Sequence, residues 1–220
     1  MNGKFTAAVV ITIILLVLAF YLAMYSAPTE ATMGDIQRIF YYHVPSAWTA
    51  MILFFVNFCA SIHYLWKRKM TSDSLALAAA EVGVVFNTVV LITGPIWARP
   101  VWGIWWTWDA RLTSTLILWL IYVSYLVLRK FTDPASGQTP VLAAALAIFG
   151  FVDVPIVYLA IRIWRTQHPG PVFFGGENTG IDPAMRPALY TNWLAFSALA
   201  FIMVWVRKEL ANKAAKEAAL

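Results

Sequence analysis

Pro100-Val101-Trp102-Gly103-Ile104-Trp105-Trp106-Thr107-Trp108-Asp109-Ala110-Arg111 packs four of the chain's eleven tryptophans into seven residues. Drawn as a helix at about 100° per residue, Trp102, Trp105, Trp106 and Asp109 share one face and Trp108 points away. This predicts a short interfacial helix bearing a flat aromatic shelf that ends in a carboxylate. Such a surface suits a large, flat, apolar ligand. A membrane-interface aromatic belt is the competing reading, but a belt scatters its tryptophans over several helix ends. Here they are concentrated in one connection.

Composition sets the context for that stretch. The chain is 61% hydrophobic and 12% charged, whereas a soluble domain is nearer half apolar and a quarter charged. The excess falls in blocks of about 20 residues, the length that crosses a hydrocarbon core as a helix. An all-α integral membrane protein follows, with residues 1–220 forming one domain. Its six spans are expected at about 5–25, 45–66, 75–97, 112–128, 140–164 and 188–206. The first run is read as a span because its apolar core is longer than that of a cleaved leader. Cys59 is the single cysteine, which leaves no intramolecular disulfide and no Cys-x-x-Cys-His motif.

Six spans return both termini to one side. Ten basic residues lie on that side: Lys4, Lys67, Arg68, Lys69, Arg129, Lys130, Arg207, Lys208, Lys213 and Lys216. Six lie opposite, all arginine: Arg38, Arg99, Arg111, Arg162, Arg165 and Arg186. The positive-inside rule therefore assigns both termini to the cytoplasm. The tryptophan connection then shares the outer face with His43, just before the second span, and His168, just after the fifth. His63 falls at the cytoplasmic end. Imidazole is the usual protein ligand of haem iron, and two histidines flanking an aromatic shelf could clamp a planar macrocycle from both sides. Arg99 and Arg111 are placed to meet its carboxylates. Glu81 and Asp153 are charged residues at or within spans, where charge is ordinarily functional or paired. Neither is given a catalytic role, and Pro155 beside Asp153 frees a backbone carbonyl.

The stretch from Trp102 to Ser114, together with Phe40-Tyr41-Tyr42-His43-Val44-Pro45-Ser46-Ala47-Trp48 and Thr166-Gln167-His168-Pro169, resembles the haem-handling WWD proteins. Within them it is similar to the cytochrome c maturation protein C (CcmC) family, over essentially the whole chain. Around His168 the chain keeps one tryptophan, Trp164, where the family pattern has two adjacent ones. The resemblance implies a protein of the bacterial inner membrane. It would bind haem b non-covalently at the outer face and deliver it to the periplasmic haem chaperone CcmE. It implies His43 and His168 as the axial ligands, and Trp102, Trp105, Trp106, Trp108 and Asp109 as the platform. It also implies CcmD and the transporter subunits CcmA and CcmB as partners. The chain has no Gly-Lys-Ser/Thr phosphate loop, so ATP hydrolysis would belong to a partner. No residue reads as a catalytic nucleophile. Two other functions stay open: a haem export channel or permease, and a b-type electron-transfer cytochrome. The latter would carry histidine pairs within its spans.

The charge asymmetry makes the topology testable. A reporter fused after Leu220 or within residues 67–74 is expected to read cytoplasmic. One fused within residues 170–182 is expected to read extracytoplasmic, and the opposite signal there would put the two histidines on the wrong side.

Overall fold

The computed structural model describes residues 3–132, 137–170 and 180–217. Residues 133–136 of the polar turn expected between the fourth and fifth spans lie outside the described residues, as do residues 171–179 of the longest connection. The regular structure is helical. Helix α1 (Gly3–Tyr21) runs into a π turn (Leu22–Ser26), and a 3-10 turn (Asp35–Ile39) leads into α2 (Phe40–Lys67). Helices α3 (Met70–Trp102), α4 (Ala110–Phe131), α5 (Thr139–Phe151), α6 (Asp153–Ile163) and α7 (Arg186–Glu217) follow. Six helical stretches are long and apolar enough to cross a membrane, with α5 and α6 together forming one of them. The protein is an all-α integral membrane protein with an even number of such stretches.

Among the departures from the expected spans, three fall around proline. Helix α2 begins at Phe40, so Pro45 sits inside the helix and His43 belongs to its first turns instead of preceding it. Pro45 leaves the Tyr41 carbonyl without its helical donor, and the 3-10 turn before Phe40 extends the winding outward. Helix α3 runs through Pro95 and Pro100 to Trp102, five residues beyond the expected end. The fifth span is broken at Val152, where α5 gives way to α6. Pro155 has no N–H for the Phe151 carbonyl, and its ring crowds that oxygen.

The expected interfacial helix does not form. Gly103, at φ +79°, ends α3, and its N–H bonds the Arg99 carbonyl at 3.0 Å. A left-handed residue of this kind is a common helix stop, and glycine reaches it without strain. Residues 103–109 then run without helical structure until Asp109 caps α4.

Lipid is as apolar as leucine, so helices in a membrane associate through close packing of small residues. The α2–α3 hairpin follows this rule. Ala76, Ala78, Ala79, Ala80 and Gly83 of α3 and Ser46, Thr49, Ala50 and Ala60 of α2 are all buried residues with small side chains. Phe54 is fully buried and stacks on Tyr122 of α4 with ring centres 3.8 Å apart. Polar ties connect the same elements. Asn57 Nδ2 donates to the Ala76 carbonyl at 2.8 Å, and Trp119 Nε1 donates to Thr88 Oγ1 at 2.8 Å. At the end of the bundle that holds the chain termini, Arg129 donates to Asp73 in two-pronged fashion, at 2.7 Å for the Nη1–Oδ1 bond. Glu81 is also paired, accepting from Arg207 Nε at 2.7 Å.

Gly83 marks the closest approach. A Cβ there would lie 2.6 Å from Phe54 Cε1, and the stack on Tyr122 leaves that ring nowhere to move. Gly83→Ala is expected to destabilise the bundle by about 1–3 kcal/mol through overpacking, although alanine is the better helix former. Thermal unfolding in detergent checks this; an unchanged or higher Tm would show that the hairpin has slack.

Candidate functional site

The ends of α2, α3, α4 and α6 remote from the chain termini surround an open-mouthed, mostly apolar cavity. Apolar positions of three helices line it, among them Met51, Val90, Leu91 and Leu118. His43, Trp97, Trp102, Trp106, Arg111 and His168 also reach it. It extends along α3 from Trp102 to Asn87, which is near the middle of that helix.

His43 and His168 meet across this space. Their ring centres are 6.5 Å apart and their planes are inclined at 36°. His43 is 8% exposed, and α3 holds it. Its Nδ1 lies 2.8 Å from Thr93 Oγ1, while Thr93 donates its own hydroxyl hydrogen to the Val89 carbonyl at 2.7 Å. A hydroxyl has one hydrogen, so Thr93 accepts from His43, and Nδ1 is the protonated nitrogen. The lone pair is therefore on Nε2. The Trp97 ring edge packs on His43 at 5.9 Å, and a Cβ on Gly94 would touch its Cε1 at 3.5 Å.

His168 lies beyond the end of α6, in the connection that follows Trp164. Its Nδ1 is 2.9 Å from the Pro169 carbonyl. A carbonyl only accepts, so here too Nδ1 carries the hydrogen and Nε2 the lone pair. Desolvation, followed by the positive charge of Arg111, lowers the His168 pKa to about 4. The ring is therefore neutral across the physiological range. Two neutral imidazoles, each with Nδ1 engaged and Nε2 open, are suited to binding a metal centre. At a ring-centre separation of 6.5 Å, His43 and His168 are the residues that would hold such a centre.

The tryptophans divide between two environments. Trp102 and Trp106 line the cavity. Trp105 and Trp108 are 58% and 75% exposed and do not line it. The single helical face drawn through Trp102, Trp105 and Trp106 is thus corrected: Gly103 turns the chain between the first and the other two. Trp106 meets Trp108 edge-on at 5.7 Å. Asp109 is a helix cap, not the end of a shelf. Its Oδ1 accepts from the Leu112 N–H at 2.9 Å and its Oδ2 from the Thr107 hydroxyl at 3.2 Å.

The two arginines expected to meet carboxylates also part. Arg99 is exposed, donates to the Gly103 carbonyl and is not in the cavity wall. Arg111 is in the wall, anchored to the Val157 carbonyl at 2.8 Å. Arg38 and Arg186 likewise donate to main-chain carbonyls, of Ala23 and Ile181. These four arginines are therefore engaged with main-chain carbonyls. Three further donors in the wall, Asn87 Nδ2, Trp97 Nε1 and Trp106 Nε1, are buried with no hydrogen-bond partner. Buried donors are ordinarily paired, so this wall suits a ligand that carries acceptors. His63 is remote. It sits at the other end of α2 against Ser72 Oγ at 2.7 Å, 20 residues or about 30 Å of helix from His43.

Thr93, Trp97 and Asn87 escaped the sequence reading. Thr93 lies in an apolar run, and its partner on α2 is 50 residues away.

The family model of heme exporter protein C matches residues 2–219. The chain belongs to the heme exporter protein C family. Heme exporter protein C of Escherichia coli K12 is 36% identical over 184 residues, covering 82% of this chain and 72% of that protein. Its namesake from Bradyrhizobium diazoefficiens is 35% identical over 188 residues, 86% of this chain and 71% of the relative. A putative cytochrome c biosynthesis ccmC-like mitochondrial protein of Arabidopsis thaliana is 33% identical over 187 residues, 84% and 70% respectively. The family match takes in both histidines and the whole tryptophan connection.

The capping role of Asp109 is open to test. Asp109→Ala is expected to cost about 1 kcal/mol by removing the N-cap of α4, and Asp109→Asn much less, since asparagine caps as well as aspartate. Thermal unfolding of both variants measures this. An equal loss from the two would mean that the charge of Asp109, not its capping bond, matters.

Proposed function

We propose that this chain handles haem in cytochrome c maturation. It holds haem b non-covalently in the outer cavity and passes it to the periplasmic haem chaperone CcmE. His43 and His168 serve as the axial ligands. The carrying observation is the pair of imidazoles 6.5 Å apart across a large apolar cavity. The family name supports haem as the cargo. The setting is the bacterial inner membrane, with both termini cytoplasmic and the cavity at the outer face, in keeping with the excess of basic residues on the terminal side. CcmD and the transporter subunits CcmA and CcmB are the proposed partners.

Within this reading the chain's own groups have separate tasks. The two Nε2 lone pairs fill both axial positions of the iron and shield it from other ligands. Trp102 and Trp106 cover the macrocycle, each aromatic contact adding on the order of 1 kcal/mol beyond area burial. Arg111 and the unpaired Trp97 and Trp106 N–H groups supply the donors that its carboxylates require. The exposed Trp105 and Trp108 stay at the membrane–water interface beside the mouth, where a chaperone would approach.

The haem spectrum of the purified protein tests the proposal. His43→Ala and His168→Ala should each abolish a low-spin bis-histidine spectrum, and His63→Ala should leave it intact. Trp102→Ala and Trp106→Ala should reduce haem content. Trp105→Ala and Trp108→Ala should preserve haem content and impair only transfer to the chaperone. A low-spin spectrum that survives both cavity histidine changes would overturn the assignment.

A further inference from the structure

If the two cavity histidines are the ligands, the structure sets them in unequal mounts. We infer that His43, positioned by Thr93, is the retained ligand and that His168 is the one released when haem is passed on. This rests on the proposed bis-histidine reading.

His43 belongs to α2, the helix packed most intimately on α3. Two α3 residues about one turn apart hold its ring: Thr93 by a hydrogen bond and Trp97 by an edge. The Thr93 hydroxyl is itself fixed by the Val89 carbonyl. Withdrawing His43 from an iron would therefore break the Nδ1–H bond to Thr93 or displace a turn of a helix whose neighbours are small and close-packed. The gap it left would be buried, and Thr93 Oγ1 beside it would lose its donor, which is costly.

His168 has no such mount. The last hydrogen bond of α6 is from the Trp164 N–H to the Ala160 carbonyl. Among the described residues, no main-chain bond ties 165–170 to a helix. Among the described residues, the hydrogen bond of the His168 ring goes to the carbonyl of the adjacent Pro169. That acceptor travels with the ring, so the bond sets the tautomer without resisting displacement. His168 is also less buried than His43, and so nearer to a receiving protein that would supply its own ligand. Thr93 is thus a positioning residue. An acceptor on the far ring nitrogen makes an imidazole a stronger ligand and fixes its orientation.

The experiment uses the full-length protein purified with haem. His168→Ala should keep haem as a five-coordinate, high-spin centre, and added imidazole should restore the low-spin spectrum. His43→Ala should lose most of its haem. Thr93→Val should weaken haem binding by about tenfold, within the usual range for the loss of a ligand's outer partner, and raise the reduction potential of what remains. Thr93→Ser keeps the hydroxyl and should match the parent in both, which separates the hydrogen bond from any packing defect. Retention by His43→Ala with loss from His168→Ala would reverse the order while leaving both as ligands, and equal retention would remove the asymmetry. An unchanged potential and affinity in Thr93→Val would remove Thr93 from the scheme. A low-spin spectrum surviving both histidine changes would sink the ligand reading itself.

Discussion

The close approach of α2 and α3 is the contact on which the rest of the molecule depends. A membrane offers no hydrophobic drive between helices, so this hairpin is held by surface fit and by a few polar ties. Alanine and serine on both helices, with Gly83 on α3, let the backbones come together, and a Cβ at Gly83 would clash with Phe54. The same approach, continued toward the outer end, sets Thr93 and Trp97 of α3 against His43 of α2. Packing that is generic in the middle of the bundle becomes specific at its end.

Proline and glycine then shape the outer face. A bilayer tolerates broken backbone only where neighbouring protein or water satisfies it. Arginines satisfy main-chain carbonyls there: Arg38 that of Ala23 in the π turn after α1, Arg99 that of Gly103 after α3, and Arg111 that of Val157 within α6. Arginine carries five N–H donors on a rigid fork, so it can hold a carbonyl and still present donors elsewhere. Arg111 does both, since it also lines the cavity.

The cavity joins an apolar body to a polar set that the protein leaves unpaired. Buried indole and amide N–H groups without partners are uncommon in finished structures. Here three of them share one wall with Arg111 and two histidines. A ligand with a flat apolar body, a metal centre and acceptor groups fits that combination, in agreement with membership of the heme exporter protein C family.

Hydrophobic length, basic residues and the tryptophan cluster are local properties, so the sequence alone determined six spans. It also determined that His43, His168 and the tryptophan connection share one end and that His63 lies at the other. The division of labour among the tryptophans was decided by tertiary structure. One left-handed glycine, Gly103, ends α3 and turns Trp102 and Trp106 inward while Trp105 and Trp108 face out. A helical wheel assumes continued helix and cannot register that stop. Asp109 was visible as a carboxylate, but its capping bond exists only because α4 starts there. Thr93 and Trp97 acquire meaning from a helix distant in sequence, because a hydrogen bond or ring contact depends on which surfaces the close packing of α2 and α3 brings together.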